Sequence, residues 1–356
     1  MLTIYSRTEP LVAHGDPLVS CRKHIYTTRR GKFMGMLVDG KWQTDDVRYN
    51  APNGRFVRRD SSFRNWVTAD GSSGFPAEAG RYHLYVSLAC PWAHRTLIMR
   101  ALKGLEDAIS LSVVDYHLGA DGWHFSDRPG ALPDTVLGAS FLRDVYLKAD
   151  PRYTGRVSVP VLWDKERRTI VSNESREILR MFDTAFDAIA RNRVSFLPKD
   201  RVAEVDAMID ANYNSINNGV YRSGFAKTQE AYEEAVKDVF HGLTRCEAVL
   251  GKHRYLCGSS VTEADWCLFT TLVRFDAVYY SHFKCNLRRI VDYPNLWNYL
   301  KDLYQVPGVS ETVNFEHIKG HYFGSHLMIN PTGIVPLGPR IDLDEPHDRA
   351  RRSYRG

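Results

Sequence analysis

From residue 81 onward the apolar positions fall into regular groups. The run RYHLYVSLA (81–89) is dense in aromatic and β-branched residues and predicts a strand. PWAHRTLIMRALKGL (91–105) follows, with Trp92, Leu97, Ala101 and Leu105 at near-helical spacing and Gly104 near the predicted end. ISLSVVDYH (109–117) predicts a second strand. Residues 118–155 are rich in Gly, Asp and Pro and predict an insertion with one short helix over ASFLRDVYL. VSVPVLWD and TIVSN predict two more strands, and ESREILRMFDTAF a helix with Ile178, Leu179 and Phe182 on one face. The predicted order is β-α-β-(insert)-β-β-α. Past residue 190 the segments 202–225, 229–251, 264–280 and 296–306 all carry helical periodicity. Thr262 and Asp265 form a capping-box pattern at the start of the third.

The fold class expected is therefore α/β followed by all-α. Residues 81–188 would form the first domain and 189–330 an all-helical second domain, with 331–356 a tail. Residues 1–80 have poor periodicity and irregularly spaced aromatics, and read as an extension that packs on another part of the chain. A chain of 356 residues has room for two domains.

Composition narrows the functional classes. A net charge of +5 suits anionic small molecules and does not demand nucleic acid. No segment reaches the roughly 18 apolar residues of a membrane span, and MLTIYSRTEP lacks the pattern of a signal peptide, so a cytoplasmic location is expected. The cysteines at 21, 90, 246, 257, 267 and 285 are scattered, without metal-site spacing, as in a chain of free thiols.

Cys90 stands apart from the other five. It ends a predicted strand and opens a predicted helix, with Pro91 at the first helical position. Free amides and the positive end of the helix dipole would lower its pKa, which favours a nucleophile over a buried filler. Three residues on, where a dithiol enzyme carries its resolving cysteine, stands Ala93. An external thiol must then resolve any mixed disulfide, and glutathione is the natural one. Pro160 inside a strand pattern points to a cis bond at Val159-Pro160, where a thioredoxin-like fold has one opposite its first helix. Ser172-Asn173-Glu174-Ser175 opens a helix after a strand: Glu174 could hold the ammonium of the γ-glutamyl group, and Ser175 with nearby amides its carboxylate. A plain N-cap is the alternative reading of that stretch.

CPWA at 90–93, SSFRNWV, VPVLWD, SNES, RFDAVYYSHFKCN and INPTGIVPLGP together resemble the glutathionyl-hydroquinone reductases, or Xi-class glutathione transferases, over nearly the whole chain. The resemblance implies a thioredoxin-like domain, a helical glutathione-transferase domain, and reduction of glutathionyl-hydroquinones through a Cys90–glutathione mixed disulfide, with glutathione as co-substrate and no metal. It implies glutathione contacts at Trp123, Arg156 and Val159, and an aromatic pocket in which Tyr221 and Tyr322 are catalytic hydroxyls and Tyr279 a weaker candidate for binding. Alternatives are an omega-like thioltransferase or a non-catalytic binding protein of the same fold. A homodimer is expected, as the commonest assembly. His317, His321 and His326 lack a good third metal-ligand spacing, His94 is expected to point away from Cys90, and the pairs Arg29-Arg30 and Arg58-Arg59 read as solvated.

Overall fold

Strand β3 (Tyr82–Val86) is buried at every position, which explains its unbroken aromatic and aliphatic run. It lies at the centre of a mixed four-stranded sheet of order β4-β3-β5-β6 in a computed structural model that describes residues 35–44 and 51–350. Cys21, Arg29, Arg30 and residues 351–356 lie outside the described residues. β3 pairs in parallel with β4 (Ile109–Val113) and antiparallel with β5 (Val161–Asp164), which pairs antiparallel with β6 (Thr169–Ser172). The parallel pair requires a crossover, supplied by α1 (Pro91–Leu102). Gly104, at φ +62°, is the left-handed residue that ends this helix. Short α2 (Leu142–Ala149) falls within the insertion, Val159-Pro160 is cis, and α3 (Ser175–Thr184) follows β6. This is the expected thioredoxin-like order.

The remaining elements are helical: α4 (Val202–Asn212), α5 (Gly219–Gly224), α6 (Gln229–Leu250), α7 (Glu263–Arg274), α8 (Pro294–Tyr304) and α9 (Phe315–Ser325). Two patterns read from the sequence as single helices are broken. A wide turn over Tyr213–Asn217 separates α4 from α5, and another over Phe275–Tyr279 follows α7. Wide turns re-aim side chains within a helix. Here the first lets Asn217 bond the Cys267 carbonyl (3.0 Å) and the Thr271 hydroxyl (2.8 Å).

The segment before β3 is stitched onto the sheet unit. A hairpin of β1 (Met36–Val38) and β2 (Lys41–Gln43) turns at Asp39-Gly40, both at positive φ. Leu37 and Gly155 exchange two backbone bonds of 2.9 Å, tying the hairpin to the end of the insertion. Residues 63–65 run beside β6: Asn65 donates to the Val171 carbonyl (3.0 Å) and Asn173 to that of Phe63 (3.1 Å). The exposed edge of the sheet is thereby covered.

Asp265 holds the start of α7. Its carboxylate accepts from the amides of Thr262 (2.7 Å) and Leu256 (2.9 Å) and the hydroxyls of Thr262 (2.9 Å) and Tyr299 (2.8 Å). Asp265→Ala leaves four buried donors unpaired and is expected to cost about 3–5 kcal/mol, read as a lowered urea midpoint. A loss under about 1 kcal/mol would show that the cap does not organise the helix.

Candidate active site

Cys90 is the N-cap of α1 with Pro91 behind it, as the local sequence predicts. Cys90 is half-buried as a residue, and its thiol donates to the Val159 carbonyl at 3.7 Å, across the cis peptide. The turn before it is clamped from the helical part of the chain. Arg274, fully buried at the end of α7, donates to the carbonyls of Ala89 and Leu88, both at 2.9 Å, and to Thr270 at 2.8 Å. Its remaining contact is His94 Nδ1 at 3.0 Å, which must accept, so the Nε2–H of His94 donates to Thr312 at 2.7 Å. Burial and the Arg274 charge hold His94 well below the usual histidine range, hence neutral. It faces Thr312, not the thiol, as expected.

The expected lowering of the Cys90 pKa is not found. Burial pushes the thiol up, and this outweighs the amides of Ala93 and Trp92 and the charges of Arg274 and Arg58, which pull it down. The helix terminus therefore moderates a desolvated thiol without ionising it. Such a thiol yields few thiolates, each more nucleophilic than one of low pKa.

A cleft of about 340 Å³ opens beside Cys90. Of the residues singled out from the sequence, Trp123, Arg156, Val159, Glu174, Ser175, Tyr221 and Tyr322 line it with Cys90. Glu174 caps α3, its carboxylate accepting from the Arg176 amide (3.2 Å) and the Ser61 hydroxyl (3.0 Å). Ser175 is buried and its hydroxyl accepts from Arg95 at 3.4 Å. Trp123 stacks on His321, with ring centroids 5.0 Å apart. This end carries a carboxylate, hydroxyls and a guanidinium, a set that suits a zwitterionic peptide.

The opposite wall is aromatic. The hydroxyl of Tyr322 meets those of Tyr221 (2.5 Å) and Tyr279 (3.0 Å). Tyr279 is buried behind the other two and does not line the cleft, so the structure places it as a support. Burial raises the pKa of all three, which keeps them protonated and able to donate. His321 and His326 also line the cleft, while His317 instead bonds the Pro129 carbonyl at 2.8 Å. His321 donates from Nδ1 to the Tyr116 carbonyl at 2.8 Å, and burial lowers its pKa to about 4.

Sequence reasoning missed Arg58, Ser61, Trp92 and Tyr213, all cleft residues. Arg58 is not the solvated residue expected. It is half-buried, with its guanidinium 4.8 Å from the ring centre of Trp92 and 4.9 Å from that of Tyr221. Its ring partners are remote in sequence, so no local pattern announces the contact. Among the described residues no group of three or more His, Cys, Asp or Glu side chains could hold a metal ion, and no helix is long and apolar enough to cross a membrane.

The family models for the glutathione S-transferase N-terminal and C-terminal domains match residues 89–185 and 229–302. The glutathionyl-hydroquinone reductase YqjG of Escherichia coli is 57% identical over 323 residues, covering 89% of this chain and 98% of that protein. The structure of a Xi-class glutathione transferase from Natrialba magadii superposes with a TM-score of 0.85 at 52% identity, covering 90% of this chain and 97% of the other. The glutathione-bound structure of YqjG superposes at 0.82 with 55% identity, covering 89% and 99%.

The balance at Cys90 predicts the behaviour of the free protein. Peptide-resolved alkylation of Cys90 against pH is expected to give a midpoint above that of an ordinary cysteine, about 8.5. A midpoint well below that value would mean that the helix terminus and arginines outweigh burial.

Proposed function

Because the chain belongs to the glutathionyl-hydroquinone reductases, the Xi class of the glutathione transferases, we propose that it reduces glutathionyl-hydroquinones, with Cys90 as nucleophile and glutathione as second substrate. The observation that carries this reading is a single thiol at the start of α1, without a second cysteine on that helix, opening on a cleft whose far wall is lined by tyrosine hydroxyls.

The chemistry follows from the two ends of the cleft. Glu174, Ser175 and Arg156 are the groups that can anchor the peptide part of glutathione, with Trp123 beside them. The aromatic ring then lies toward Tyr221 and Tyr322. An aryl carbanion is a poor leaving group, so the ring carbon bearing sulfur must take a proton first, with a phenolic oxygen becoming a carbonyl. The Cys90 thiolate attacks the glutathionyl sulfur. An S–S bond forms, the C–S bond breaks, and its electron pair restores the aromatic ring with the charge on oxygen. That phenolate takes a proton to give the hydroquinone. Tyrosine hydroxyls that stay protonated can donate to the oxygen throughout. A second glutathione thiolate attacks the glutathione sulfur of the mixed disulfide, releasing oxidised glutathione and the Cys90 thiolate. The ring is reduced by two electrons and two glutathione sulfurs are oxidised.

An omega-like thioltransferase would share the thiol and the peptide end. The linked hydroxyls of Tyr221, Tyr322 and Tyr279 favour an aromatic substrate over a small disulfide. We further propose that the enzyme acts in the cytoplasm as a homodimer. Light scattering at micromolar concentration is expected to give twice the chain mass, and a single chain mass would overturn the dimer.

Cys90→Ser is expected to lower turnover of a glutathionyl-benzohydroquinone at least about a thousandfold and to abolish the glutathione adduct seen by intact mass. Equal rates in variant and wild type would sink the mechanism. Tyr322→Phe removes the hydroxyl that links the other two and is expected to lower kcat about tenfold to a hundredfold. An unchanged kcat would remove these tyrosines from the chemistry.

A further inference from the structure

Arg58 has a geometry that its packing alone does not account for. Trp92 and Tyr221 lie 4.8 and 4.9 Å from its guanidinium carbon and Phe56 lies at 5.5 Å. Nε donates to the Asn218 side chain at 2.8 Å. Among the described residues no carboxylate pairs with it, and its two terminal nitrogens have no acceptor. Aromatic rings attract a cation but do not neutralise it. A half-buried guanidinium held over two rings and lining a cleft is an anion site already in position.

The proposed reaction makes negative charge twice in this cleft, first on the sulfur of Cys90 and then on the oxygen of the departing ring. We propose that Arg58 is the cation that stabilises both, and so sets the preference of the enzyme for phenolic leaving groups. The inference rests on the reductase reading and adds a residue to it. Cys90 lies within electrostatic reach of Arg58, and Tyr221, which stacks on Arg58, is sensitive to charge on both. The leaving oxygen, at the tyrosine wall, would meet the open edge of the same guanidinium. The phenol pKa of a hydroquinone lies far above neutral pH, so expulsion of its phenolate gains from a cation that a tyrosine hydroxyl cannot supply.

Other charges act on the same space. Arg59 and Asp60 belong to the segment of Arg58, Arg95 to α1, Glu174 to the cap of α3, and Tyr213 to the turn before α5. Arg156 and His321 line the cleft, and Arg274 reaches Cys90 from behind. None of these cations stacks on Tyr221 as Arg58 does.

The test compares wild type with Arg58→Met, which keeps the apolar stem, and Arg58→Lys, which keeps the charge. Two readouts need no turnover. The first is the pH midpoint of Cys90 alkylation. It is expected to rise by about one unit in Arg58→Met, making alkylation at pH 7 about threefold to fourfold slower, and to return most of the way in Arg58→Lys. The second is the absorbance of 4-nitrophenol bound in the presence of glutathione. Wild type and Arg58→Lys are expected to bind the phenolate at a pH where the free compound is largely neutral, and Arg58→Met to lose that shift. An unchanged alkylation midpoint in Arg58→Met, equal loss in Met and Lys variants, or no bound phenolate in wild type would overturn the proposal. Absence of thioether turnover in wild type would instead overturn the reductase reading, and both readouts would still decide the role of Arg58.

Discussion

A buried guanidinium holds the site together. Arg274 carries a charge into the interior and finds only neutral acceptors, the carbonyls of Leu88, Ala89 and Thr270 and the ring of His94. Each of its three nitrogens is bonded, which makes the buried charge tolerable, and removing a partner of a buried charge typically costs about 3–5 kcal/mol. Two of its bonds go to the turn that ends at Cys90, so the last residue of α7 fixes the position of a thiol on α1. His94 extends the clamp to Thr312, just ahead of α9, the helix that carries Tyr322. The sheet unit and the helical region thus share one polar joint beside the cleft.

That joint also sets the electrostatics. Taking Cys90 partly out of water favours the thiol, while the start of α1, Arg274 and Arg58 favour the thiolate. Burial outweighs them, and the opposing contributions come from separate elements. The helix terminus comes from local sequence, Arg274 from the far end of the helical region, and Arg58 from the segment ahead of the sheet. On the opposite wall burial is the main cause that keeps three phenols protonated, and neighbouring charges add to or subtract from it. A cleft with a desolvated thiol on one side and hydroxyl donors on the other is suited to moving charge from sulfur to a ring oxygen.

The segment before β3 is part of this machinery. Its residues 63–65 cover the edge of β6, and Ser61 bonds Glu174 at the polar end of the cleft. Arg58 closes the aromatic end against Trp92 and Tyr221. Polar, weakly periodic sequence here builds a wall of the site in place of a core of its own.

What the sequence determined was whatever local spacing controls. Aromatic and β-branched runs and helical periodicity placed the strands and the helices, Pro91 marked the start of α1, and Ala93 in place of a second cysteine pointed to an external thiol as the resolving partner. The family resemblance and the reductase reading were legible there too, because several motifs coincide along most of the chain. Tertiary structure decided the rest. The breaks at Tyr213–Asn217 and Phe275–Tyr279 leave helical periodicity intact, and the first brings Asn217 to a partner fifty residues away. Tyr279 became a support, and Arg58 and Arg274 became site cations, through contacts between residues far apart in the chain. The pKa of Cys90 depended on the sum of burial and remote charge, and a helix-start motif states only one of those contributions.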